Sequence, residues 1–294
     1  MTSSSAINPL EILKTLGIAN PTKVTTVTGG ADTAIWRVEN SDGKTYALRL
    51  LRSTQLSESL REVAVMQAAQ QQKIAVPQVL SQSIWQERPA LLLEWCDGRT
   101  LIAEIQSHIG RIWQLGVLFG QTQAAIHQVT APVELLQKSN DWVATIRAAN
   151  PALQVALNTF NLRPDRVLHL DYHPLNVLSD GKRITGVIDW SNAAAGDPRF
   201  DFARTVTLLR LAPASTNIPG PILTIFRRVL ECGWRVGYRQ IAGPSQDLAL
   251  FYVWAGLAME YDLAPKLDQR PDLRKQDIER VRHWTQKWQQ KAGM

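Results

Sequence analysis

The stretch His169-Leu-Asp171-Tyr-His173-Pro174-Leu-Asn176, followed thirteen residues after Asn176 by Asp189 in Ile188-Asp189-Trp190, constrains this chain more than any other feature. Apolar runs flank the central motif, Arg166-Val-Leu-His169 before it and Asn176-Val-Leu-Ser179 after it. Short apolar runs bounded by turn residues read as strands, so the motif is expected to form a loop between two of them. Asp180-Gly181 supplies a hairpin signal. Lys182-Arg-Ile-Thr-Gly-Val-Ile-Asp189 then reads as the returning strand, which carries Asp189 back beside the loop.

That arrangement brings one amide oxygen and two carboxylates together, as phosphoryl transfer from a metal-bound nucleotide requires. Mg²⁺ takes few protein ligands, one or two carboxylates with phosphate oxygens and waters completing its shell. Asn176 and Asp189 suit that sparse requirement. Asp171 then remains to accept the proton of an attacking hydroxyl, or to aim that hydroxyl at the γ-phosphate. Any one of these residues beside a turn would more often be a cap or an Asx-turn; the ordered set carries the assignment. His169 is expected to brace the loop through hydrogen bonds, and the sequence alone assigns His173 no role.

The segments His169-Leu-Asp171-Tyr-His173-Pro174-Leu-Asn176-Val-Leu, Val187-Ile-Asp189-Trp190 and Gly196-Asp197-Pro198-Arg-Phe-Asp201 resemble the aminoglycoside phosphotransferase and choline kinase-like group, which shares the protein-kinase fold. The resemblance runs from about Val24 to the helices near Tyr261. It implies an α+β architecture, with a small antiparallel-sheet N-lobe over residues 1–97 and a larger, mainly helical C-lobe over 98–294. It also implies ATP and Mg²⁺ as cofactors and O-phosphotransfer to a hydroxyl of a small metabolite or antibiotic. In such a fold Thr28-Gly29-Gly30-Ala31-Asp32-Thr33 is expected to cover the phosphates, since Gly29 and Gly30 let backbone N–H groups approach them. Glu62, with Glu58 as a substitute, is the expected acid partner of a cation on the third strand. That cation is Arg49, where the group usually has lysine, and a planar guanidinium is not a simple replacement for an ammonium. The backbone of Glu94-Trp95-Cys96 is expected to meet the adenine edge.

The rest of the chain is read from pattern. Asn8-Pro9 caps a helix that Gly17 stops. Strands are expected at 24–28, 34–39, 44–51 and 90–95, with a helix at 55–72. Beyond Gly98 the pattern turns helical, at 111–129, 141–149, 201–211, 221–238, 246–261 and 273–290. His127 is expected to be a buried packing histidine. Asp197 and Asp201 are expected to start a helix rather than to act in a site. Acceptor contacts are expected from Asp141, Trp142, Glu260, Tyr261 and Asp262.

A 294-residue chain with 45 % hydrophobic and 20 % charged residues is ordinary for a globular protein. No apolar run reaches membrane-spanning length, and the N-terminus lacks a basic start and apolar core of a leader, so a cytoplasmic protein is expected. Cys96 and Cys232 lack metal or disulfide spacing. The net charge is +6, of which residues 266–294 contribute +4, with eight Lys/Arg against four acids. Ile278, Val281, Trp284 and Trp288 recur there at helical spacing, so the bases read as a solvated helix face and a nucleic-acid partner is not expected. A basic chain also fits poorly with a polycationic aminoglycoside. The alternative kept open is a nucleotide-binding pseudokinase acting as an interaction module, motivated by Arg49.

Overall fold

The structure, a computed structural model, describes residues 7–27, 33–136, 142–213 and 219–294. It begins with helix α1 (Pro9–Thr15), whose Asn8 side chain accepts from the Leu10 N–H and which ends before Gly17 at φ 86°. Strands β1 (Pro21–Val27), β2 (Ala34–Asn40) and β3 (Thr45–Leu50) follow, then helix α2 (Leu56–Gln71) and strands β4 (Val79–Trp85) and β5 (Arg88–Glu94). The five strands form one antiparallel sheet in the order β1-β2-β3-β5-β4.

Strand alternation decides what this sheet can do. Tyr46, Leu48 and Leu50 of β3 point to one face, where they pack with Trp36, Val38 and Leu92 against Ile12, Leu13 and Leu16 of α1. Ala47 and Arg49 point to the other face because side chains alternate along a strand. Leu91 and Leu93 share that second face and join a core with Val63 and Met66 of α2. The cation of β3 is thereby delivered to the helix side of the sheet, while α1 closes the far side.

The chain then becomes mainly helical. A short strand β6 (Arg99–Thr100) leads into α3 (Leu101–Ser107), α4 (Ile112–Ile126), α5 (Val133–Leu136), α6 (Trp142–Ala148) and α7 (Pro151–Leu157). Four short strands follow: β7 (Arg166–Leu168), β8 (Val177–Ser179), β9 (Ile184–Val187) and β10 (Ala194–Gly196). Helices α8 (Pro198–Leu211), α9 (Gly220–Ala242), α10 (Ala249–Leu263) and α11 (Lys275–Ala292) complete the chain. The two halves share one core, since α2 residues and the helical part belong to the same apolar cluster. Helices α4 and α9 approach so closely that a Cβ on Gly120 would lie 1.9 Å from the Trp234 carbonyl oxygen, and one on Gly237 2.0 Å from that of Val117.

Two features differ from the sequence reading. Strand β4 was not expected, because its turn is built from Gln86 (φ 48°) and Glu87 (φ 62°). Two consecutive left-handed residues make the kind of tight hairpin that Asn-Gly usually announces. Helices α3, α5 and α7 and strands β6 and β10 were also missed, each being seven residues or fewer. As expected, β7 and β8 flank the central loop; they lie in different sheets, β7 pairing with β10 and β8 with β6 and β9.

Candidate active site

The loop between β7 and β8 is held from below by one buried carboxylate. Asp201, in the first turn of α8, is completely buried and accepts from the backbone N–H groups of His169 (3.2 Å) and Leu170 (2.7 Å). Its Oδ2 also meets His127 Nε2 at 2.9 Å and Gln123 Nε2 at 3.1 Å. Leu170 sits at φ 60°, a conformation costing a branched residue on the order of 1–3 kcal/mol. A charge-assisted hydrogen bond of ~1.5–3 kcal/mol to its N–H is enough to offset that cost. Burial alone would push the Asp201 carboxyl up, but the His127 hydrogen bond and charge, with His169 and Gln123, hold it below its usual value. His127 is buried as expected, yet it does more than pack, because its Nδ1 also meets the Tyr238 hydroxyl at 2.7 Å.

His169 braces the loop in the way the sequence suggested. It is fully buried; its Nδ1 accepts from the Asp171 N–H at 3.3 Å and its Nε2 donates to the Ile188 carbonyl at 3.1 Å. The Ile188 N–H in turn donates to the Asn176 carbonyl at 2.9 Å. One residue, Ile188, is thus pinned to both ends of the loop, and this fixes where the next residue, Asp189, emerges. Asp189 adopts φ 62° and remains 45 % exposed, with its Oδ1 accepting from Ser191 Oγ at 2.8 Å. Trp190 is buried against the His169 ring, centroids 4.5 Å apart.

Asn176 places its amide nitrogen on Asp171, 3.0 Å from the backbone oxygen and 3.1 Å from Oδ2. Oriented this way, its Oδ1 is turned from the Asp171 carboxylate and is available to a cation. Burial alone would raise the Asp171 carboxyl, but His173, Arg204 and His169 outweigh it and bring it down to about 2. Asp171 is therefore ionised at any physiological pH. His173, assigned no role from the sequence, lies 3.5 Å from Asp171 Oδ2.

Across the cleft, Arg49 Nη1 pairs with Glu62 Oε1 at 2.6 Å, so Glu62 rather than Glu58 is the partner. Its Nη2 stands 3.8 Å from Asp189 Oδ1. Arg49 Nε and Glu62 Oε2 are buried without a hydrogen-bond partner among the described residues. Burial raises the Glu62 carboxyl, an effect that Arg49 opposes and Asp189 reinforces.

The remaining expected residues divide. Glu94 is exposed, and its N–H donates to the Gln78 carbonyl at 2.8 Å, while the Trp95 N–H donates to Thr45 at 3.2 Å. Cys96 follows them, packed over Gly186 of β9, and burial with nearby Glu94 and Asp97 pushes its thiol up to about 11. Gly29 and Gly30 lie outside the described residues, as does Asp141; Trp142 begins α6. Glu260 is taken by Arg282 at 2.6 Å, and Asp262 by Lys266 at 2.5 Å and Arg204 at 3.4 Å. Tyr261 is 58 % exposed. Of the residues the sequence reading missed, His173 carried a signal in its spacing from Asp171. Arg204 carried none, because its contacts with Leu170 and Asp262 join distant segments, whereas Ser191 lies only two residues from Asp189 and was not singled out.

Comparison with known proteins gives the family and the fold. Residues 23–240 match the model of the phosphotransferase enzyme family APH. No protein of curated function matches the chain. Among solved structures, the amicoumacin kinase hAmiN in complex with AMP-PNP, Ca²⁺ and Ami superposes with a TM-score of 0.66 at 16 % identity, over 96 % of this chain and 92 % of that one. A thermostable mutant of the aminoglycoside phosphotransferase APH(4)-Ia, in ternary complex with AMP-PNP and hygromycin B, gives 0.63 at 17 % identity over 96 % and 97 %. The macrolide 2'-phosphotransferase MphH from Brachybacterium faecium gives 0.53 at 18 % identity over 94 % and 97 %. Five antiparallel strands followed by a mainly helical part, with the central loop at their junction, are the kinase-like α+β fold. The chain belongs to the phosphotransferase enzyme family.

Proposed function

We propose that this protein is an ATP- and Mg²⁺-dependent O-phosphotransferase that acts on a hydroxyl of a small metabolite or antibiotic. The observation that carries this reading is the placement of three groups: Asp171 and Asn176 are bonded to each other, and Asp189 follows Ile188, which is bonded to His169 and Asn176. Residues 1–97 serve as the nucleotide-covering lobe and 98–294 as the lobe holding the loop and the acceptor. The similar amicoumacin kinase and APH(4)-Ia are each solved in complex with AMP-PNP, which supports nucleotide binding by this chain.

The residues present fit the groups proposed. Arg49 Nε is a buried donor lacking a partner among the described residues, as expected of a cation that meets phosphate oxygens. No cluster of three or more His, Cys, Asp or Glu forms a metal cage among the described residues. One carboxylate, Asp189, and one amide oxygen, that of Asn176, are what Mg²⁺ uses when phosphates and water fill the remaining positions. Bound there, the metal would neutralise charge developing on the transferring phosphoryl group. The chain's own residues do the rest. Arg49 draws the phosphates toward α2, Glu62 holds Arg49, and the sequence pattern alone assigns Gly29 and Gly30 to the phosphates. Glu94 and Cys96 present backbone to the nucleobase. Asp171, held ionised by its neighbours, orients the acceptor hydroxyl and takes its proton as the phosphoryl group transfers.

An aminoglycoside-like polycation is not the first choice of acceptor on this reading, because Glu260 and Asp262 are already matched by Arg282, Lys266 and Arg204. Among the described residues no helix is long and apolar enough to cross a membrane. The test is ADP release from Mg²⁺-ATP across a panel of hydroxylated metabolites and antibiotics, for wild type and Asp171→Asn. Acceptor-dependent release that falls at least about a hundredfold in the variant, with ATP affinity kept, supports the assignment. Equal rates in the two proteins would move the catalytic role elsewhere.

A further inference from the structure

The proposed role of Asp171 leaves one question of geometry: a carboxylate has two oxygens, and only one should face the acceptor. We propose that His173 is the positioning residue that settles this, holding Oδ2 of Asp171 together with Asn176 so that Oδ1 is the oxygen presented to the acceptor hydroxyl. The inference rests on the phosphotransferase reading of Asp171.

Three observations carry it. First, His173 Nδ1 accepts from the Leu175 N–H at 3.2 Å, which places the proton of the neutral ring on Nε2. Second, that Nε2 lies 3.5 Å from Asp171 Oδ2, beside the Asn176 amide nitrogen at 3.1 Å from the same oxygen. The same Nε2 lies 3.4 Å from that amide nitrogen, so the two nitrogens sit side by side facing Oδ2, while Oδ1 receives no hydrogen bond among the described residues. Third, packing does not account for the histidine. Its side chain is 23 % exposed and that of Asp171 25 %, and the neighbouring Leu175 is 57 % exposed. The imidazole stands at the open side of the loop, where its Nε2 faces the Asp171 carboxylate and the Asn176 amide. A distance of 3.5 Å is at the outer edge of a hydrogen bond, and catalytic contacts of this kind shorten when the ligand docks.

The consequence is separable from fold and from nucleotide binding. His173→Leu removes the donor and keeps bulk, whereas His173→Gln restores an N–H of similar reach. Water serves as the acceptor probe, with ADP release from Mg²⁺-ATP giving kcat and KM, and Mg²⁺-AMP-PNP affinity measured alongside. His173→Leu should lower kcat by roughly ten- to a hundredfold, the scale of a misplaced reacting group. KM for ATP and AMP-PNP affinity should stay within about twofold, and His173→Gln should recover most of the loss. An unchanged kcat in His173→Leu overturns the proposal, as does a loss that glutamine fails to recover. Long-range ¹H–¹⁵N spectra of the full chain give a readout independent of turnover. An Nε2-protonated neutral His173 supports the assignment; an Nδ1-protonated one overturns it even if the protein is an active kinase. Absence of Mg²⁺-AMP-PNP binding by the wild type would instead overturn the phosphotransferase reading, and with it the role given to His173.

Discussion

Arg49 and Glu62 form a buried ion pair at 2.6 Å that joins the third strand to the helix behind it. The guanidinium is larger than the ammonium usual at this place in such folds, and its second nitrogen extends to within 3.8 Å of Asp189. One cation therefore spans the sheet, the helix and the segment proposed to hold the metal.

Removing it should be felt twice. Arg49→Ala leaves Glu62 buried and unpaired, a change expected to cost roughly 3–5 kcal/mol of unfolding free energy. Denaturant titration should show that loss, and Arg49→Ala/Glu62→Gln should recover part of it. Arg49→Lys should keep most of the stability and be tolerated in turnover or improve it. If Arg49→Ala changed neither stability nor ATP affinity, this strand would not be the phosphate-contacting one.

Acid should weaken the loop through His169. Burial holds its imidazole below the ordinary 6.5, against the opposing influence of Asp201, Asp171, Asp189 and the Ile188 carbonyl. The unfolded chain therefore binds the proton before the folded one does, so the stability this group contributes is complete above pH 6.5 and declines as pH falls below it. Unfolding free energy measured at pH 7.5, 6.5 and 5.5 should fall across the lower interval. His169→Gln should flatten that part of the profile, and an equally steep fall in the variant would assign the effect to other groups.

Gly120 should tolerate no side chain. A Cβ there would lie 1.9 Å from the Trp234 backbone oxygen, so α9 must move away from α4. Gly120→Ala should lose about 1–3 kcal/mol, the usual cost of overpacking. Trp234 and Tyr238 on α9 bond to Gln123 and His127, which hold Asp201 beneath the loop. Turnover should therefore fall together with stability, at a site far from the chemistry. Unchanged melting and turnover would mean that α4 and α9 are not locked at this crossing.

Much of this was legible in the sequence, because the chemistry lies on short local patterns. Asp171 and Asn176 share one loop, and the apolar runs around them announce β7 and β8. Arg49 and Glu62 follow from alternation on β3 and the helical register of α2. What stayed hidden depends on long-range pairing. Strand β4 turns through Gln86 and Glu87 without the usual turn residues, and β10 is recognisable only through its pairing with β7. Tyr238 supports His127 from 111 residues away, a contact that no local spacing encodes.

The most direct test of the account is the metal dependence of nucleotide binding at Asp189. Calorimetric titration of AMP-PNP, with and without Mg²⁺, should show tighter binding with the metal in the wild type. Asp189→Ala should abolish that gain while leaving metal-free binding in place. A gain from Mg²⁺ that is the same size in Asp189→Ala as in the wild type would contradict the assignment of the site.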